Sequence, residues 1–172
     1  MGDVVNTQEL VIGLIGTLED QVKVYRGLLD VVRKEKDILI SANLDDLNEN
    51  NRSKEAMLIK IRALEAQRLK NAADVYLSLG LQGDQPRLLD SARHVSDAQA
   101  EKLRSIHSVL ELLLKRVQEY NRQNESLVQS ALTNITGAMN AIKTTLQEKP
   151  VYQKQGEVQG QSQSGQLVSK EA

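Results

Sequence analysis

Few residues of this 172-residue chain have types and spacings that could support catalysis or metal binding. Its two histidines, His94 and His107, stand thirteen positions apart. Neither follows a Glu by three residues, the spacing that carboxylate-bridged metal sites use in helical bundles. Paired carboxylates such as Asp45 and Asp46 are common on solvated helices, and the sequence contains no Gly-rich phosphate loop and no recognisable Ser-His-Asp set. The sequence therefore predicts no enzymatic activity, no metal site and no cofactor.

The composition favours a protein that acts by binding another protein. Cys, Phe and Trp are absent and there are only four Tyr, so we expect the thin aliphatic core that is typical of long helices and coiled coils. The net charge is −1 with both signs mixed along the chain, which predicts no attraction to nucleic acid. No segment resembles a signal peptide or a membrane span, and the lack of Cys fits a reducing compartment. We therefore expect a soluble, cytoplasmic protein without membrane insertion.

The most distinctive chemistry lies in the uncharged interval between Glu125 and Lys143. Apolar residues recur there, and just beyond it, at steps of three and four, which places them on one face of a helix: Leu127, Val128, Ala131, Leu132, Ile135, Met139, Ile142 and Leu146. The other face carries Ser, Thr, Asn and Gln, whereas a helix face exposed only to water usually carries pairs of opposite charges. Since burying charge is costly, interface cores are depleted of it. The pattern indicates a partner-binding helix, and a core helix with neutral polar residues on its outer face is the alternative.

Three helical segments must position this face. Apolar periodicity predicts helices at about residues 7–40, 44–79 and 88–147. The breaks fall at residues 41–43 and 80–86, where Gly80 and Pro86 are typical of a helix end. A short connection makes consecutive helices antiparallel neighbours. The predicted fold class is all-α, an elongated antiparallel three-helix bundle or coiled coil in a domain covering 1–149, followed by a Gln-, Gly- and Ser-rich flexible, disordered tail at 150–172.

The lengths of these helices bear on the apolar face. At 1.5 Å per residue the first two helices would each extend roughly 50 Å, and the third roughly 75 Å if it is continuous. Either the third helix bends back at Gly137, or its last part carries an apolar stripe that the hairpin does not cover. An exposed stripe of this kind marks a partner site.

Two motifs add a family resemblance. Residues 121–128 read Asn-Arg-Gln-Asn-Glu-Ser-Leu-Val, and Pro150-Val151-Tyr152 follows the third helix. The first hairpin adds a pattern of Leu, Glu and Lys at Tyr25, Leu28, Leu29, Glu35, Leu39, Leu44, Leu47, Lys54, Leu58, Ile61, Leu64, Glu65 and Arg68. In these features the chain resembles the FlgN-like family of flagellar type III export chaperones, which serve the hook–filament junction proteins. The run matches the family's Asn-x-x-Asn-x-x-Leu-aliphatic signature, although Glu125 stands where a Gly is frequent.

The resemblance implies a cytosolic chaperone that binds the C-terminal helical regions of hook-associated junction proteins. It would prevent their premature assembly and deliver them to the cytosolic domain of the flagellar export gate, with Tyr152 as the docking residue. The cargo-binding residues would be Asn121, Asn124, Leu127, Val128, Ala131, Leu132, Ile135, Met139 and Ile142. A structural coiled-coil adaptor that self-associates through the third helix, for example as a homodimer, is the alternative. A membrane-surface helix is disfavoured, because no Lys or Arg flanks the apolar face before Lys143.

Overall fold

The computed structural model describes residues 2–81 and 87–147, with side chains from Thr7 onward. These residues form helices α1 (Gly2–Ser41), α2 (Leu44–Ser78), α3 (Leu88–Ser91) and α4 (Asp97–Gln147). The described ranges contain no strand, and the predicted all-α fold with three long helices packed together is confirmed. The predicted flexible tail and Tyr152 lie outside the described residues. The described residues divide into two units, a first unit that ends at Gln129 and a second unit that begins at Ser130.

The core of the first unit consists of two apolar clusters along α1. In one cluster, Leu14 of α1 packs with Val75 of α2 and Leu103 of α4. In the other, Val32 of α1 packs with Ile61 of α2 and with Leu113 and Val117 of α4. From Leu14 to Val32 along α1, the neighbours on α2 run backwards, from Val75 to Ile61. The neighbours on α4 run forwards, from Leu103 to Val117. Within this unit α2 is antiparallel to α1, and the first part of α4 is parallel to α1.

Polar contacts join α1 to α4 beside these clusters. Lys102 Nζ lies 2.7 Å from a carboxylate oxygen of Glu19, and Lys36 Nζ donates to Gln123 Oε1 at 3.1 Å. The Arg33 guanidinium lies over the ring of Tyr120, 5.4 Å from its centre, which is a cation–π geometry. These polar contacts flank the two apolar clusters and help to hold the first part of α4 parallel to α1.

Asn43 caps the N-terminus of α2, directly before Leu44. Its Oδ1 accepts from the backbone amides of Asp45 and Asp46 at 3.1 and 3.3 Å, which satisfies two of the amides that a helix N-terminus leaves without partners. Both Asp residues lie in the first turn, where their negative charge interacts favourably with the positive end of the helix dipole. The turn before it contains Ala42, whose φ of +54° lies in the left-handed region.

Two helix boundaries differ from the prediction. α1 begins at Gly2 instead of Thr7, because no helix-breaking residue intervenes. The predicted third helix at 88–147 is interrupted, since α3 ends at Ser91 and α4 begins only at Asp97. Ser96 marks the restart: its hydroxyl donates to Gln99 Oε1 at 3.1 Å, and its carbonyl accepts from the Ala100 amide at 2.8 Å. A Ser followed three residues later by Gln is a recognised helix-start pattern.

Candidate partner-binding site

The described part of the second unit is the last portion of α4, residues 130–147. Every one of these residues is exposed. Five large aliphatic side chains form what we call the second-unit stripe, at Leu132, Ile135, Met139, Ile142 and Leu146. Each exposes between 54 and 65 % of its surface. Such residues are usually buried, and a continuous row of them on a surface marks an interaction site.

The polar side of this helix satisfies much of its own hydrogen bonding. The hydroxyls of Thr144 and Thr145 donate to the carbonyls of Asn140 and Ala141 one turn earlier, at 3.0 and 2.9 Å. Short polar side chains that bond back to their own helix make little demand on a partner. Lys143 is the one charged residue between 130 and 147. The second-unit stripe is therefore flanked almost entirely by uncharged groups.

α4 is continuous through Gly137. A Cβ at Gly137 would meet no atom within 4 Å, so no close contact requires this glycine. Gly137 stands two residues after Ile135 and two before Met139, which places it on the helix side opposite the second-unit stripe. The stripe is thus one uninterrupted helical row.

The structure distributes the predicted cargo-binding residues over both units. Ala131, Leu132, Ile135, Met139 and Ile142 are exposed in the second unit. The first unit holds Asn121 and Val128, which are exposed, Leu127, which is half-buried, and Asn124, which is buried.

Asn124 lies inside the first unit. Its Nδ2 donates to the Val32 carbonyl at 2.9 Å and to Glu35 Oε2 at 3.1 Å. The same Glu35 oxygen accepts from Lys54 Nζ at 2.7 Å, so α1, α2 and α4 meet in one polar layer. The structure therefore places the Asn124 amide in the interior of the first unit, and its predicted role in cargo binding stays a prediction. The sequence contained a signal for this burial, because Asn124 continues the core spacing of Leu113, Val117 and Tyr120.

The first unit also has a groove that the sequence did not predict. It has a volume of about 760 Å³ and is lined by residues of α1, α2, α3 and α4, including Leu18, Leu110 and Leu114. At one wall Glu65 accepts from Gln21 Nε2 at 2.9 Å and from two nitrogens of Arg68 at 2.8 and 2.6 Å. The lining residues come from positions 18 to 114, so only the folded chain brings them together.

Contacts at this wall shift the pKa values of Glu65 and Tyr25. The hydrogen bond from Arg68 holds the pKa of the Glu65 carboxyl below its ordinary value, and Gln21 adds to the effect. Burial, with a smaller contribution from the Glu65 charge, raises the pKa of the Tyr25 hydroxyl. The wall is thus an ion pair with a neutral tyrosine beside it, which is a structural arrangement between α1 and α2.

No group of three or more His, Cys, Asp or Glu side chains within 2–81 and 87–147 is placed to hold a metal ion. Over the same ranges, no helix combines the length and apolarity that crossing a membrane would require. The second-unit stripe lies on an exposed amphipathic helix, a surface that is typical of proteins that bind another helix.

Comparison with known families agrees with this class. The model of the family described as FlgN protein matches residues 10–160, and the chain belongs to that family. The resemblance inferred from the sequence motifs is thereby confirmed, and with it a general role as a flagellar export chaperone. Neither a curated protein nor a solved structure matches the chain.

Proposed function

We propose that this FlgN-family chain is a cytoplasmic chaperone that binds the C-terminal helical regions of hook–filament junction proteins. It holds them back from assembly and delivers them to the cytosolic domain of the export gate. The observation that carries the proposal is the second-unit stripe. Its five large aliphatic side chains lie on an exposed helix with almost no charge around them.

The binding energy would come from covering the stripe. Burying a Leu, Ile or Met side chain contributes about 1.5–3 kcal/mol before the entropy of association is subtracted. An amphipathic helix of the cargo presents a matching apolar face, so pairing removes both faces from water. A cargo helix covered in this way has lost the surface through which it would assemble.

The uncharged flanks suit a partner that must later be released. Covering a charged rim would carry a large desolvation cost. Ser, Thr and Asn at the rim can be covered by a partner without that cost, so binding does not depend on buried charge pairs. Met139 near the middle of the stripe adapts its shape easily, so the same surface accommodates cargo helices of different sequence.

The test is co-purification of the full chain with a junction protein. Leu132→Asp plus Ile135→Asp places two charges on the stripe and should abolish capture, while helicity by circular dichroism stays unchanged. The matched control is Asn140→Asp plus Thr144→Asp, which adds the same charge on the other side of the same helix and should leave capture intact. Loss of capture in both double variants, or in neither, would contradict the proposed site.

A structural adaptor is the second candidate, because an exposed apolar stripe with heptad spacing also supports association of identical chains. In that case the wild-type chain forms a homodimer or larger oligomer without cargo, as measured by light scattering, and Leu132→Asp plus Ile135→Asp breaks it. A monomer that captures cargo favours the chaperone instead.

Delivery is a separate step with its own residue. Tyr152, outside the described residues, is proposed to dock the loaded chaperone on the export gate. Tyr152→Ala should leave capture of the junction protein unchanged and weaken binding of the complex to the gate's cytosolic domain. Tyr152→Phe is the control that separates the aromatic ring from the hydroxyl.

A further inference from the structure

The second-unit stripe has the spacing of a coiled-coil seam. From Leu132 the steps to Ile135, Met139, Ile142 and Leu146 are three, four, three and four residues. In heptad notation Leu132, Met139 and Leu146 occupy position a, and Ile135 and Ile142 occupy position d. Helices with this strict alternation pack in a coiled coil, in which each side chain at a or d inserts between four side chains of the facing helix.

The stripe also contains a shallow, mostly apolar depression. This depression, of about 450 Å³, lies among Met139, Ile142, Lys143, Leu146 and Gln147. The first four of these are spaced i, i+3, i+4 and i+7. Four residues at that spacing surround one inserted side chain of a facing helix in a coiled coil. The geometry therefore points to a helical partner that inserts regularly spaced side chains.

The residue types at a and d indicate how many helices the seam takes. In parallel coiled coils, β-branched residues at a with Leu at d favour two strands, whereas Leu at a with Ile at d favours three or four strands. This stripe has Leu and Met, which carry no branch at Cβ, at position a and Ile at both d positions. Its pattern is the reverse of the two-stranded one.

The flanking positions agree. In two-stranded coils positions e and g usually carry Glu and Lys, which pair across the edge of a narrow seam. Here Ala131, Thr136, Ala138 and Thr145 occupy four of these positions, and Lys143 is the exception. Small uncharged flanks widen the surface that further helices can cover without burying charge.

The area of the stripe leads to the same conclusion. If each side chain buries on the order of 100 Å², five give about 500 Å² on this side of an interface. A stable specific interface buries about 800 Å² on each partner. One facing helix therefore leaves the contact small, and covering the flanks as well brings it to the usual size.

From these observations, and resting on the proposed cargo-binding function, we propose that the junction protein covers the second-unit stripe with two or more helices. Residues 130–147 then form one strand of a three- or four-stranded coiled coil. The remaining strands come from one cargo molecule rather than from a second copy of this chain.

The first test needs no variant. The affinity of the full-length chain is measured by calorimetry for the whole junction protein and for a peptide of its C-terminal helix alone. The whole protein should bind at least about tenfold more tightly, because only it supplies the additional strands. Light scattering of the complex should give one chaperone with one cargo. Equal affinity for the peptide, or a complex with two copies of each chain, would overturn the inference.

The second test exchanges the residue types of the seam. Leu132→Ile, Met139→Ile and Leu146→Ile, combined with Ile135→Leu and Ile142→Leu, keep the stripe aliphatic and convert it to the two-stranded pattern. Affinity for the whole junction protein should fall at least about tenfold, whereas Met139→Leu alone, which keeps a residue without a Cβ branch at a, should leave it unchanged. Unchanged affinity in the exchange variant would refute the inference while leaving the cargo-binding function intact. Absence of any binding by the wild-type chain would refute both.

Discussion

The side-chain nitrogen of Asn124 on α4 lies 2.9 Å from the carbonyl oxygen of Val32 on α1 and donates a hydrogen bond to it. This contact joins residues 92 positions apart and ends the apolar seam of the first unit with a polar layer. A buried amide of this kind has few alternative partners, so it favours one register of α4 on α1. Within the signature at residues 121–128, Asn124 thus stabilises the packing of the helical bundle.

Asn124→Ala should lower the free energy of unfolding by about 1–2 kcal/mol, because the buried hydrogen bonds to Val32 and Glu35 are lost. Urea denaturation of the full chain followed by circular dichroism measures the change. Asn121→Ala, on an exposed position of the same helix, is the matched control and should change stability by less than about 0.5 kcal/mol.

Cargo capture separates this structural role from a binding role. The Asn124→Ala protein, still folded at neutral pH, should capture the junction protein as well as the wild type does. An unchanged stability combined with lost capture would place Asn124 at the cargo surface and contradict its burial.

The ion pair of Glu65 and Arg68 predicts a pH dependence. Because Arg68 lowers the pKa of Glu65 in the folded protein, the pair stabilises the fold above the ordinary Glu pKa of about 4.3. That stabilisation is lost as the pH falls through the lower, folded-state pKa. Since nearly half of the Glu65 side chain is exposed, solvent screening keeps the effect below about 1 kcal/mol.

The measurement is the stability difference between wild type and Glu65→Gln at several pH values from 7 to 3. The wild type should be more stable at pH 7, and the difference should shrink below pH 4. Glu55→Gln, at an exposed position of the same helix, is the control for the loss of a charge. A difference that grows on acidification would show that the pair does not stabilise the folded state.

The features that local sequence determines were predictable. The start of α2 is predictable from Asn43, Asp45 and Asp46, because the residues that make the capping interactions lie within three positions of each other. The stripe from Leu132 to Leu146 was readable for the same reason, since spacing along one helix needs no knowledge of the rest of the fold. Ser96 and Gln99 carried an equally local signal, which predicts the start of α4 better than apolar periodicity does.

Features that depend on packing between distant segments were not predictable in this way. Asn124 falls at the core spacing of α4, but nothing local to α4 indicates that Val32 and Glu35 of α1 are its hydrogen-bond partners. The groove wall of Gln21, Glu65 and Arg68 joins residues 44 positions apart. A period along one helix does not reveal which side chains from other helices complete such a site.

Ala42→Gly should stabilise the protein by about 0.5 kcal/mol. The φ of +54° costs an L-residue about 1 kcal/mol, and glycine removes that strain while losing part of the gain to greater freedom in the unfolded chain. Urea denaturation again gives the difference. Ala56→Gly, at an exposed interior position of α2, is the control and should destabilise by up to about 1 kcal/mol. Destabilisation by both substitutions would show that the turn does not strain Ala42.

Two glycines should respond to alanine in opposite ways. Gly80 has a φ of +66°, which favours glycine, so Gly80→Ala should destabilise the first unit by about 1 kcal/mol.

Gly137 is helical and its Cβ position is open, so Gly137→Ala should stabilise the surrounding helix by about 1 kcal/mol. Amide hydrogen exchange should then slow about fivefold around residue 137, because 1 kcal/mol corresponds to that factor in the opening equilibrium. Capture of the junction protein should be retained, since Gly137 lies opposite the second-unit stripe. Weakened capture despite slower exchange would mean that cargo binding requires this helix to open at Gly137, which would exclude docking onto a preformed helix.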